Sequence, residues 1–423
     1  MFFTTGRCTT LALRPSNLTG SGRGAGRPSN VARMRGTRHL RSRDGGEQTT
    51  SAVELLFDLV YVFAVTQLSH LLIGDLTPAG AGRTLFLLVV VWWAWIYTTW
   101  MVNWYDPAST AVRLVLIASG LASLLMAAAI PGAFGRDGAL FAGSYVALQV
   151  GRNLAAAALL DRGHTLRRTF ERILAWSVLS GLLWIAGGLA APHLRFAFWG
   201  PALALDLIAP ALGYRTPGLG RSDTSDYPVA GDHFAERFQA FIIIALGESI
   251  VVTGATASAR GLSSSVVWSL AVAFLGTSAL WWLYFGEVAE HSRRQLTNAE
   301  DVGSLARDAY SYLHLPIVAG IIAVAVGNDI LINHPHRVLS LAGALTMLGG
   351  PALYLFGESM FRLRMIGSVS PKRIGTVIAL CALGLLASAA SALAVSAAVA
   401  AVLSALAAWE WNGVRRSRSA SAA

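Results

Sequence analysis

Apolar residues along this chain come in runs of about 20, the length that carries a helix across a bilayer. The first run, 52–73, is broken by Glu54 and Asp58 near its start and by Thr66, Gln67 and His70 further in. The pattern then predicts helices over 84–104, 112–131, 139–160, 171–191 and 196–213. A polar stretch, 214–234 (YRTPGLGRSDTSDYPVAGDHF), reads as a linker. Beyond it the runs resume over 235–257, 265–286, 310–327 and 338–358. The alanine-rich stretch 374–411 divides into two helices of about 18 residues, turning near Ser388 to Ser391. The pattern thus gives about twelve spans, six on each side of the linker.

Composition agrees with that pattern. Of 423 residues, 54% are hydrophobic and 13% charged, about half the charge content of a soluble domain. The expected fold is an all-α integral membrane protein embedded in the lipid bilayer. The net charge of +10 comes almost wholly from arginine, with Lys372 the single lysine. Its placement follows topology, so nucleic acid is not the expected partner. With the N-terminus inside, the inner loops and the tail 413–423 hold 17 Arg and Lys, against five in the outer loops. Inverting the orientation inverts that ratio, so both termini are expected to be cytoplasmic. Residues 1–50, with nine arginines, lack the apolar content to fold and are expected to be disordered. Met34 offers an alternative start within them. Cys8 and Cys381 have no metal-ligand spacing, and Cys381 is expected to be a packing residue.

The six-plus-six division invites a comparison of the halves, 51–213 and 235–412. At an offset of 182, Glu54 aligns with Glu236 and Thr66-Gln67 with Glu248-Ser249. At 187, Trp95 aligns with Trp282 and Tyr97 with Tyr284. Six helices per unit would make the repeats parallel.

Charged residues inside apolar helices mark ion paths, proton relays or buried pairs. Glu54 and Asp58 share a face one turn apart, and Thr66 with His70 form a second such pair on another face. Glu248 lies about 18 Å along its helix from Glu236, past the midplane. Arg152 and Arg237 are the intrahelical cations and the expected partners of Glu248. Asp206 near Pro210, His314 beside Pro316, and Glu358 complete the polar set with Gln67, His70 and Ser249. Glu287 and His291 have an i, i+4 spacing at a wet helix end, and His334 and His336 sit in a loop. No metal site or cofactor is expected from them, and no catalytic motif is found.

Three segments carry a resemblance: ELLFDLVYVFAVTQLSHLL, ERFQAFIIIALGESIVVTGA and RDAYSYLHLPIVAGIIAVAVG. Their Glu54, Phe57, Asp58, Gln67 and His70, then Glu236, Arg237, Gly247, Glu248 and Ser249, then Tyr312, His314 and Pro316, resemble the bacterial low temperature requirement A (LtrA) family over about 47–412. The resemblance implies a multi-pass membrane protein linked to growth in the cold and brings no molecular activity. A fainter similarity to endolysosomal-type potassium channels rests on Phe57-Asp58. The expected function is a proton- or ion-coupled transporter, or a channel-like permease for a small solute. An intramembrane lipid-modifying enzyme, or a membrane sensor or assembly partner, is the alternative.

Overall fold

A computed structural model of the chain describes residues 38–41, 49–223 and 229–421. Twelve principal helices run through the described residues. They are α1 Ala52–Gly74, α2 Pro78–Trp104, α3 Thr110–Ala128, α4 Gly138–Ala158, α5 Thr165–Leu189 and α6 Arg195–Ile208. After 209–230 come α7 Gly231–Arg260, α8 Ser264–Leu283, α9 His314–Asn333, α10 Leu341–Ile366, α11 Pro371–Leu386 and α12 Ala392–Ser421. Between α8 and α9 lie two π-helical segments, Tyr284–Val288 and Ala306–Tyr312, and two short helices, Ala289–Thr297 and Val302–Leu305.

Helix ends differ from the hydropathy runs where capping residues extend them. The Thr77 hydroxyl accepts from the Gly80 N–H at 3.1 Å and Pro78 opens α2, so that helix starts six residues before its apolar run. The expected linker loses 231–234 to the first turn of α7. The stretch 374–411 is two helices, parted at 387–391.

Among the described residues, eight segments are long and apolar enough to cross a membrane: α1, α2, α3, α5, α7, α8 through Gly286, Val302–Asn333, and Ala392–Gly413. Of the others, α6 and α11 are short, at 14 and 16 residues. Gln149, Arg152 and Asn153 dilute α4, and glycines, Pro351 and Glu358 dilute α10.

Helix α1 packs against α2, α3, α7 and α9. Its buried face is Glu54, Phe57, Asp58, Tyr61, Ala64, Val65, Leu68 and Ser69, while Leu55, Leu56 and Leu59 point outward. Polar in and apolar out is the pattern expected of a helix whose surroundings are lipid. Around it, Trp95 packs on Phe238 and Phe241 with ring centroids 4.9 and 4.5 Å apart, joining α2 to α7. Elsewhere small residues set the spacing. A Cβ on Gly320 would stand 2.6 Å from the Tyr354 nitrogen, and one on Gly350 2.8 Å from the Val324 nitrogen, so α9 and α10 meet backbone to backbone.

The expectation of disorder over 1–50 falls mostly outside the described residues, but 38–41 is docked. The Arg41 N–H donates to Trp104 O at 2.9 Å, its Nε to Val102 O at 2.8 Å, and the Asp106 N–H to His39 O at 2.8 Å. This strap closes the end of α2, where helix carbonyls lack partners. Cys381, expected in packing, is exposed.

Candidate functional site

At the end of the bundle where α1 begins, hereafter the basal end, Glu54 and Asp58 face α7. The two do not pair with each other; each meets cations. Arg41 Nη2 from the strap donates to both Glu54 oxygens at 3.1 Å, and His233 Nε2 lies 2.8 Å from Oε1. Arg237 Nη2 donates to Asp58 Oδ1 at 2.7 Å, and Trp95 Nε1 donates to the same oxygen at 2.8 Å. Arg237 Nη1 stands 3.9 Å from Glu54, and its guanidinium lies over the Trp95 ring. Glu54, Asp58, His233 and Arg237 are fully buried. Glu236, one residue earlier, is half-buried and accepts from the Thr50 N–H at 3.1 Å.

Glu248 is placed differently. Neither expected partner reaches it, because Arg237 is committed to Asp58, three turns away along α7, and Arg152 lies in α4. Its side chain is buried, and Oε1 has no hydrogen-bond partner among the described residues. Thr66 and His70 of α1 are the polar groups facing it. Ser249 bonds back to Leu246 O at 2.7 Å, with the Thr277 hydroxyl 3.4 Å away. Gln67 is half-buried. Outward from Thr66, the exposed His70 lines a vestibule of about 490 Å³ with Asp75, Arg83 and Phe134. At its mouth Arg83 pairs with Asp75. The Thr77 hydroxyl, donating at 2.6 Å with Arg83 beside it, holds the Asp75 carboxyl below the usual carboxylate range.

A third group joins α2, α4, α5 and α6. Arg152 meets no carboxylate within 4 Å among the described residues. Its guanidinium donates to Gln149 Oε1, to Thr98 Oγ1 at 3.1 Å and to Ala94 O at 3.4 Å, and lies 5.2 Å from the Tyr97 ring centre. Gln149 donates to the Tyr145 hydroxyl at 3.0 Å, which donates to Asp206 Oδ2 at 2.9 Å; Trp184 Nε1 donates there too, at 3.0 Å. Asp206 is thus held by neutral donors.

In the second half, Glu358 accepts from Arg373 Nη1 at 2.7 Å, and Arg373 also grips both oxygens of Glu410 at 2.9 Å. His314 is fully buried, 2.8 Å from the Tyr284 hydroxyl and stacked on Tyr310 at 5.1 Å. The side chains of Glu287 and His291 lie outside the described residues.

The structure therefore splits the polar set into four places. Sequence reasoning missed Arg41, His233, Arg373 and Glu410. His233 carried a signal, standing one turn before Arg237 on the same face. Arg41 carried none, since nothing in an arginine-rich leader distinguishes one arginine from the others.

The family model described as bacterial low temperature requirement A protein (LtrA) matches residues 49–408. An uncharacterized protein of Rhizobium meliloti (strain 1021) is 38% identical over 336 residues, covering 79% of this chain and 82% of its own. No solved structure matches.

Proposed function

The chain belongs to the bacterial low temperature requirement A family, and we propose that this membrane protein is a proton- or ion-coupled permease with Glu248 as its coupling group. The observation that carries the reading is the isolation of Glu248. Glu54, Asp58 and Glu358 are each held by arginine, and Asp206 by two neutral donors. Glu248 has a bare oxygen and lies beside Thr66, one turn below a vestibule lined by His70. A buried carboxyl with neither an ion pair nor a pair of neutral donors to give up can take up and release a proton or a cation.

In this reading the chain crosses the cytoplasmic membrane about twelve times as two parallel six-helix repeats. Several observations support it. In each half the first helix packs on the second and third: α1 on α2 and α3, α7 on α8 and α9. The aligned positions Thr66 and Glu248 face one another across α1 and α7, as an axis along the membrane normal would place them. The aligned Glu54 and Glu236 accept from the neighbouring amides of Ser51 and Thr50. Glu410 on α12 and Arg41 both lie at the basal end, among the arginine-rich loops, so both termini are assigned to the cytoplasm. The basal cluster then closes the inner side while the vestibule opens outward.

The lipid-modifying alternative would use Glu54, Asp58 and Arg237, but these are paired with one another and sealed from the surface. The test is proton flux in liposomes carrying an internal pH dye under a potassium diffusion potential. Wild-type protein should conduct above empty liposomes, and Glu248→Gln should lose most of that flux. Equal flux in the two proteins would sink the coupling role.

A further inference from the structure

From Glu248 a polar seam leads round α7, away from the vestibule, to a cavity that the permease reading does not use. Ser249 is about 100° round the helix from Glu248, and its Oγ lies 3.4 Å from the Thr277 hydroxyl of α8. Thr277 in turn lines a space of about 30 Å³ among α8, α9, α10 and α12, with Asn328, Met347, Pro351 and Ser396 among its other walls. A water needs roughly 10–15 Å³ of such space, so the cavity holds about two waters or one dehydrated ion. We propose that this cavity binds a monovalent metal cation of sodium size. The inference rests on the permease reading only in taking that cation as a coupling ion.

The walls are rich in acceptors. Pro351 has no N–H, so the Met347 carbonyl one turn earlier in α10 loses its helical partner. Ser396 spends its hydrogen on the Met347 sulfur at 2.9 Å, which leaves the lone pairs of its oxygen. The Ser249 hydrogen goes to Leu246 O, so Thr277 is the donor of the Ser249 pair and its oxygen also remains free to accept. Asn328 Nδ2 is buried with no hydrogen-bond partner among the described residues, and turning the amide over puts Oδ1 in its place. Three side-chain oxygens and one carbonyl, from four helices, then border one small space.

Sign and valence follow from the charges nearby. No charged residue is among the walls. Asp329, next to Asn328, accepts from Thr256 at 2.8 Å and from Asn333 at 3.1 Å, and meets no cation within 4 Å among the described residues. Glu248, next to Ser249, has a bare oxygen and faces His70 on the side of α7 toward α1. Arg260, exposed at the end of α7, donates to Asn333 Oδ1 at 3.4 Å and not to Asp329. Two carboxylates thus flank the cavity, against one arginine that solvent screens, so a cation is attracted and an anion repelled. Calcium and magnesium take carboxylates among their ligands. Here no carboxylate is a wall, which favours one positive charge over two. Carbonyls released where helix bonding is interrupted are ligands of this kind in membrane transporters.

The experiment uses the full chain in detergent micelles, in sodium, potassium, calcium or choline chloride at equal ionic strength. Melting is followed by tryptophan fluorescence, and bound radioactive sodium is counted directly. Sodium should raise the melting temperature saturably, by at least about 1–2 °C over choline, with about one sodium bound per chain. Thr277→Val and Asn328→Leu keep the side-chain shapes and remove an oxygen each. Each should weaken sodium at least about tenfold, the scale of one bond to a charged group. Pro351→Ala returns an N–H to Met347 O and should weaken sodium as well; melting in choline shows that each variant is folded. Any of three results overturns the site: sodium that stabilises no better than choline, as water alone in the cavity gives; potassium or calcium bound more tightly than sodium; or sodium binding that all three variants leave unchanged. The permease reading fails separately: sodium binding alongside equal proton flux in wild type and Glu248→Gln keeps the site and removes the coupling role.

Discussion

Arg237 shares its guanidinium among Asp58 at 2.7 Å, Glu54 at 3.9 Å and the face of Trp95, with no exposure to solvent. A buried charge so placed contributes little net stability relative to a well-packed apolar side chain, yet removing one partner strands the other. Arg237→Leu should therefore destabilise the protein by about 3–5 kcal/mol. Asp58→Leu with Arg237→Leu should cost clearly less than the sum of the single changes. Thermal unfolding of the four proteins in one detergent reads the difference, and strict additivity would mean the pair is not coupled. The same residues mark what the sequence made legible at this scale. Glu54, Asp58, Arg237 and Glu248 stand out because charge inside an apolar run is expensive. Their partners do not stand out, because Asp58 and Arg237 are 179 positions apart. Proximity across such a separation is a property of packing, and Arg237 was as plausible a partner for Glu248 as for Asp58.

Hydropathy places most helix ends within a few residues of those observed, and the two differ where capping or polar faces act. What hydropathy could not reveal is how closely two apolar helices approach. Glycines in α9 and α10 look alike in the sequence, yet their surroundings differ sharply. A Cβ on Gly320 would stand 2.6 Å from the Tyr354 nitrogen and 2.8 Å from Gly350 O, both backbone atoms that cannot turn aside. A Cβ on Gly349 would meet nothing within 4 Å. Gly320→Ala should force α9 and α10 apart and cost about 1–3 kcal/mol. Gly349→Ala should be neutral or stabilising by up to about 1 kcal/mol, since alanine is the better helix former. Melting temperatures of the two variants in the same micelle separate these outcomes; a Gly320→Ala protein as stable as wild type would show that the interface is slack.

For the whole molecule the number of crossings turns largely on α4. Its 21 residues reach about 31 Å at 1.5 Å each, enough for a hydrocarbon core of about 30 Å. It falls below the hydropathy of a lone span because Gln149, Arg152 and Asn153 are polar. Those three are buried against neighbouring helices, while Leu140 and Leu154 face outward. A helix that shows lipid its apolar side and protein its polar side is under-read by any average over all its residues. The 26 residues of α10 give about 39 Å, and Glu358 there is likewise buried against Arg373. Single cysteines test this in a background with Cys8 and Cys381 changed to serine. If α4 crosses, a cysteine at Arg136, in the loop before it, should react with a membrane-impermeant maleimide from outside intact cells, and one at Asp161, after it, should not. Cysteines at Arg337 and Ser368 should divide in the same way across α10. Labelling of both members of a pair from one side would take that helix out of the membrane. The parallel repeat would then fall with it, because six crossings per half are what give the two halves the same orientation.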